Sequence, residues 1–200
     1  LIANIRKIVE QKIDIPIMGV CLGHQILCLA AGFTTYKMVY GNRGHNQPCV
    51  DTICNSCVIT SQNHGYAVDL ESHSTIVDSG WKMLYQNIND KSVEGIYHQT
   101  LPYFAVQFHP EHSSGPKGSE FLFSVFENLC LFYKKSRLST EHVNKKDQNF
   151  KEAFISCLVD RGILCKDPTN ISLIRQLSTD TKYKRRVLIL GSGGLCIGQA

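Results

Sequence analysis

Residues 15–25 read "IPIMGVCLGHQ", and the fold turns on how this stretch is parsed. The apolar run from Ile15 to Val20 has the length of a buried strand. The following "LGHQILCLAA" (22–31) reads as a helix that stops at Gly32. One residue, Cys21, stands between them, with Gly19 and Gly23 two positions to either side. A strand that turns directly into a helix strains the backbone of the corner residue. Glycines on both sides let the two elements approach. The corner side chain then projects outward, with the free N–H groups and partial positive charge of the helix N-terminus behind it. That field favours thiolate over thiol, and it favours the oxyanion formed when sulfur attacks a carbonyl. Taken alone, the five residues also fit a tight turn carrying a buried structural thiol.

The stretch needs a base, and "VQFHPEH" (106–112) offers one. Pro110 restricts His109 to extended backbone. His109 and Glu111, two residues apart, then face the same side. His109 would take the thiol proton and later protonate the leaving group, while Glu111 fixes the imidazole tautomer. His112 is the rival base, on the opposite side of the extended chain.

Outward from these two motifs the chain alternates. "TTYKMVYGNRGHNQP" runs from a strand-like start into a loop. "CVITSQNHGYAVD" (57–69) is a strand with a polar break at Gln62–Gly65. Residues 81–98 form a hairpin turning at Asn89-Asp90-Lys91, and "YFAVQF" (103–108) is a strand. Phe121, Leu122, Val125, Phe126, Leu129 and Phe132 share one helical face. Polar and charged residues then fill 134–149, a short helix with Phe150, Phe154, Ile155 and Leu158 in register follows, and "VLILGSGG" is a strand entering a glycine turn. The pattern is α/β, with a domain boundary in the region 135–186.

Composition narrows the classes. The 200 residues are 43% apolar and 19% charged, as in a globular chain. No apolar run reaches the ~18 residues that span a bilayer, so no membrane is expected as partner. The net charge of +4 lies in the second part: residues 1–135 hold 10 basic and 11 acidic residues, and residues 136–200 hold 11 and 6. No aromatic residues interleave with these charges, so a solvated linker face is favoured over a nucleic-acid surface. Nine cysteines, an odd number without regular spacing, suit a reduced, cytoplasmic chain. The first residue is not Met, and "GLCIGQA" brings no closing element, so a piece of a longer chain is expected.

"GVCLGHQ" and "FHPE" resemble the two hallmarks of the class I glutamine amidotransferases. "YKMVYGNRGHNQP" and "ITSQNHGYAVD" are most similar to the glutaminase part of carbamoyl-phosphate synthetases, of the fused eukaryotic, pyrimidine-pathway type. The terminal "RRVLILGSGGLCIGQA" resembles the first strand and turn of the synthetase part. The resemblance implies a flavodoxin-like α/β glutaminase domain, incomplete at its N-terminus, over 1–135. An interdomain linker over 136–182 and the start of a synthetase domain over 183–200 complete the expected order. It implies glutamine hydrolysis, with ammonia passed to the fused synthetase to make carbamoyl phosphate from bicarbonate and ATP. By motif, Cys21 is the nucleophile, His109 the base and Glu111 the third member. The N–H of Leu22 is an oxyanion donor, and Gln25, Asn63, Gly65 and Tyr66 hold glutamine. No cofactor is expected in these residues; ATP with Mg or Mn belongs to the synthetase. The family's upstream glycine loop and small domain are absent, so low activity and weak cooperativity are expected of residues 1–200 alone. Two alternatives stay open: a non-catalytic or regulatory remnant, and an amidotransferase serving another synthase.

Other motifs carry less. "GSGGLCIG" has G-x-G at Gly191 and Gly193 but Cys196 where a dinucleotide fingerprint needs Gly or Ala. "CNSC" (54–57) lacks the second pair of a zinc site. His64 is expected to be a structural hydrogen-bonding residue, and Cys28 a core residue.

Overall fold

The computed structural model describes residues 1–70, 80–112, 118–138, 150–160 and 188–190. The elements are α1 (Ile2–Glu10), β1 (Ile17–Val20), α2 (Leu22–Ala31), β2 (Thr34–Asp51), β3 (Cys57–Asp69), β4 (Trp81–Asn87), β5 (Val93–His98), β6 (Tyr103–Val106), α3 (Phe121–Leu138), α4 (Phe150–Asp160) and β7 (Leu188–Leu190). One mixed sheet runs β3-β2-β4-β5-β6-β1-β7. β1 is parallel to β6 on one side and β7 on the other, and the remaining pairs are antiparallel.

Strand alternation divides the core between two faces. Ile17 of β1 and Tyr103 and Ala105 of β6 face the layer that holds Ile5, Leu27 and Cys28 of α1 and α2. Met18, Val20, Phe104 and Val106 face the opposite layer, with Phe121, Val125, Leu129, Phe150 and Phe154 of α3 and α4. Covering both faces requires near-continuous apolar strands, and β1 and β6 are buried at every position. Cys28 is fully buried, a core residue as expected.

Three local readings change. The stretch 34–51 does not break into a loop: β2 continues through it, with register shifts between Lys37 and Asn42 and between Gly44 and Gln47. Gly41 and Gly44, both at positive φ, sit at these shifts, and backbone in that region is what a bulge asks of glycine. The polar break at 62–65 is also absent, because β3 runs unbroken with Thr60, Gln62 and His64 pointing inward and buried. Finally, α4 falls inside the stretch read as a linker over 136–182, yet its side chains are core. Phe150 packs against Phe104 at 4.5 Å between ring centroids and against Tyr97 at 5.3 Å. Residues 139–149 and 161–187 and the glycine turn after Leu190 lie outside the described residues. Among the described residues no helix is long and apolar enough to cross a membrane.

Candidate active site at the end of strand β1

The turn between β1 and α2 has the geometry its spacing requires. Cys21 sits at φ 52°, ψ −105°, an unusual conformation for a residue with a side chain. Its N–H donates to the Val106 carbonyl at 2.9 Å, tying the corner to β6. A Cβ on Gly19 would come within 2.8 Å of the Gly23 carbonyl oxygen, so the close approach of strand and helix depends on that glycine. The helical ladder starts with His24 N–H to Cys21 O at 3.1 Å. The N–H groups of Leu22 and Gly23 therefore precede the ladder and point out of the helix start.

The segment after β6 brings the second group. His109 N–H donates to the Ser61 carbonyl of β3 at 2.9 Å, which anchors this residue across the sheet end. Its Nδ1 is 2.8 Å from Glu111 Oε1. The ring is buried whereas the Glu111 side chain is half exposed. His109 Nε2 is buried and has no hydrogen-bond partner. The imidazole is pushed up to about 9, first by the Cys21 sulfur, against the opposing effect of burial, with Glu111 adding to the rise. His112 lies against His45, 5.3 Å between ring centroids with the rings tilted by 41°.

Gln25, one turn into α2, donates from Nε2 to the Tyr66 carbonyl at 3.2 Å and to Gln107 Oε1 at 3.0 Å. Gln107 Nε2 in turn lies 3.9 Å from Cys21 Sγ. Cys21, Gln25, Tyr66, His109 and Glu111 thus converge at one end of the sheet. Tyr66 is 50% exposed and Leu22 47%, so the mouth of the site is lined by accessible surface. Asn63 and Gly65 are held in the β2–β3 ribbon: Asn63 stands opposite Arg43, and Gly65 falls in a register shift. Among the described residues, neither is hydrogen-bonded to Cys21.

Gln107 is the residue the sequence reading passed over. Its signal was present: a polar side chain in an apolar strand, two positions before His109 and hence on the same side. His64 accords with a structural hydrogen-bonding role, with Nδ1 2.9 Å from the Tyr66 carbonyl and Nε2 3.0 Å from Gln62 Oε1. His24, fully buried behind the turn, is driven down to about 3 by burial first and by His64 second. The Cys54–Cys57 pair belongs to a turn organised by Asp51, whose carboxylate accepts from the backbone N–H groups of Ile53 and Ser56. Among the described residues no three His, Cys, Asp or Glu side chains are grouped to hold a metal.

Comparison with known proteins follows the same lines. Residues 1–129 match the family model for glutamine amidotransferase class-I. Over 200 residues, all of this chain, it is 45% identical to the multifunctional protein pyr1-3 of Dictyostelium discoideum, and spans 7% of that protein. Over 133 residues, 66% of this chain, it is 49% identical to the carbamoyl phosphate synthase arginine-specific small chain of Candida albicans, and spans 30% of it. A solved structure of a Thermoplasma acidophilum protein superposes with a TM-score of 0.56 at 22% identity, covering 69% of this chain and 68% of that one. This last likeness bears on the fold alone.

Proposed function

The chain belongs to the class-I glutamine amidotransferases, and on that premise we propose that it hydrolyses glutamine and feeds the ammonia to a fused carbamoyl-phosphate synthetase. The observation that carries the reading is the set Cys21, His109 and Glu111. A cysteine stands at a positive-φ corner ahead of a helix N-terminus, and its sulfur is the first influence on a buried imidazole whose other nitrogen lies 2.8 Å from a carboxylate.

The chemistry this set supports is acyl transfer. The Cys21 sulfur attacks the side-chain amide carbon of glutamine, and its proton passes to His109 Nε2. The tetrahedral oxyanion is met by the Leu22 N–H at the start of α2. Collapse breaks the C–N bond, and His109 protonates the departing nitrogen, releasing ammonia. Water, deprotonated by the same Nε2, then attacks the thioester. That bond breaks to give glutamate and restores the thiol. Glu111 keeps the proton on Nδ1 and balances the imidazolium. Gln25 and the Asn63, Gly65 and Tyr66 segment hold the substrate. Support for the synthetase partner is the similarity to a carbamoyl phosphate synthase small chain and to a multifunctional protein that continues far beyond this chain. ATP and its divalent metal would be bound in that synthetase region, and the compartment would be the cytoplasm.

The test is Cys21→Ser in a chain that carries both the upstream glycine loop and the synthetase. Glutamine-dependent carbamoyl phosphate synthesis should vanish, and synthesis from added ammonia should persist. Equal loss of both activities would refute a glutaminase role for Cys21.

A further inference from the structure

The reaction above gives no part to Gln107, whose side chain is enclosed beside the nucleophile. It sits just beyond β6 and has no solvent exposure. A buried amide is costly unless its oxygen and its nitrogen are both met. Among the described residues its side chain has two polar partners, and both belong to the site: Gln25 at one end and Cys21 at the other.

The orientation of both amides follows from one backbone carbonyl. The Tyr66 carbonyl oxygen only accepts, so the end of Gln25 that lies 3.2 Å from it is the NH2 group. That same nitrogen lies 3.0 Å from Gln107, which must therefore turn its oxygen toward Gln25. Gln107 Nε2 is left on the far side, 3.9 Å from Cys21 Sγ. No titratable group decides this assignment, because thiol and thiolate sulfur both accept. Of the two contacts the amide–amide bond is the shorter and the stronger, and a nitrogen 3.9 Å from sulfur is weakly held. Both hydrogens of Gln25 Nε2 are thus taken by protein acceptors. Its Oε1, without a partner among the described residues, is the atom left for the substrate.

We propose that Gln107 is a positioning residue for glutamine binding: its Oε1 locks the Gln25 amide with the NH2 group turned to the protein and the oxygen presented to the substrate. The bland alternative is a polar side chain that only fills the end of β6. Such a filler would draw its partners from the strands around it, whereas Gln107 joins the two residues that hold and attack glutamine. The proposal rests on reading Gln25 as a residue that holds glutamine. With Gln107 gone, the Tyr66 carbonyl alone accepts from Gln25, and the amide is free to turn its nitrogen toward the substrate. Groups that hold the unreacting part of a substrate meet ground state and transition state alike, so the effect falls on KM.

The test uses the chain that carries both the upstream glycine loop and the synthetase. Gln107→Met keeps the length and removes both polar ends. Gln107→Glu keeps an oxygen facing Gln25 whether or not the carboxyl holds a proton. In Gln107→Met the KM for glutamine should rise about tenfold, with kcat changed by no more than about threefold, as for one lost buried hydrogen bond. In Gln107→Glu the KM should stay within about twofold of the parent. Calorimetric titration of glutamine into the same variants built on Cys21→Ser should give matching ratios of Kd without turnover. An unchanged KM in Gln107→Met, or a rise of about tenfold in Gln107→Glu, would overturn the proposal. Where thermal unfolding shows that Gln107→Met does not fold, Gln107→Asn takes its place with the same expectation, since its amide falls one methylene short of Gln25. Full glutamine hydrolysis by Cys21→Ser would instead overturn the glutaminase reading of Cys21, and the KM ratios would still decide the role of Gln107.

Discussion

Replacing Gly19 by Ala tests the turn at its tightest point. The added Cβ would lie 2.8 Å from the Gly23 carbonyl oxygen, 2.9 Å from the Gly23 carbonyl carbon and 2.9 Å from Ala105 Cβ. Carbon contacts are comfortable from about 3.5 Å, so α2 and β6 must each retreat by about half an ångström or more. Two of the three obstacles are backbone, which no rotamer change relieves. Overpacking of this kind costs about 1–3 kcal/mol, and rigid neighbours place Gly19→Ala at the upper end. In a domain of ~150–250 residues that is a fall in Tm of roughly 5–10 °C. The same retreat moves the Leu22 N–H and the Cys21 sulfur, and a displacement near 1 Å can cost about 10²-fold in rate. Gly32→Ala is the control. Gly32 has φ 99° and nothing within 4 Å of an added Cβ, so it feels backbone strain of about 1–2 kcal/mol and no clash. Thermal unfolding and glutaminase turnover, measured on both variants, should therefore separate. Gly19→Ala loses stability and rate, and Gly32→Ala loses stability alone. A Gly19→Ala protein that keeps its turnover and melts no lower than Gly32→Ala would show that the strand and helix are not packed through this glycine.

Two further outcomes concern the base. His109→Ala should lower glutaminase kcat more than Glu111→Gln, because the carboxylate orients the ring and does not itself carry the proton to the leaving group; the reverse order in steady-state kinetics would exchange the roles. The Cys21 sulfur first, and Glu111 after it, push His109 up to about 9 in the fold from an ordinary 6.5, so the folded state holds a proton that the unfolded chain releases earlier. Its stabilisation is complete below pH 6.5 and is lost as the pH rises through about 9. Urea unfolding should show a decline on the order of 1–3 kcal/mol across that window, absent in His109→Gln. A parent whose stability is flat there would contradict the assignment.

The features legible in the sequence are those fixed by neighbours a few residues away. The turn at Cys21 is one, because the strain of a strand–helix corner and the room left by Gly19 and Gly23 are local steric facts. The His109–Glu111 contact is another, since two residues of extended chain carry both side chains to one side. The hairpin of β4 and β5 announced itself through its turn residues. Tertiary structure decided where a side chain's partner comes from afar. The polar residues of β3 looked like a break because the apolar pattern stops there; in the fold Gln62 reaches Cys49 of β2, and Glu94 of β5 stands 3.5 Å from His64. Gln107 joined the site only when β6 lay beside β1 and brought Cys21 within reach across 86 residues of sequence. The aromatic face of α4 became core only when Phe104 and Tyr97 stood ready to receive Phe150. A polar or apolar side chain states what it needs, and only the folded sheet determines which distant residue meets that need.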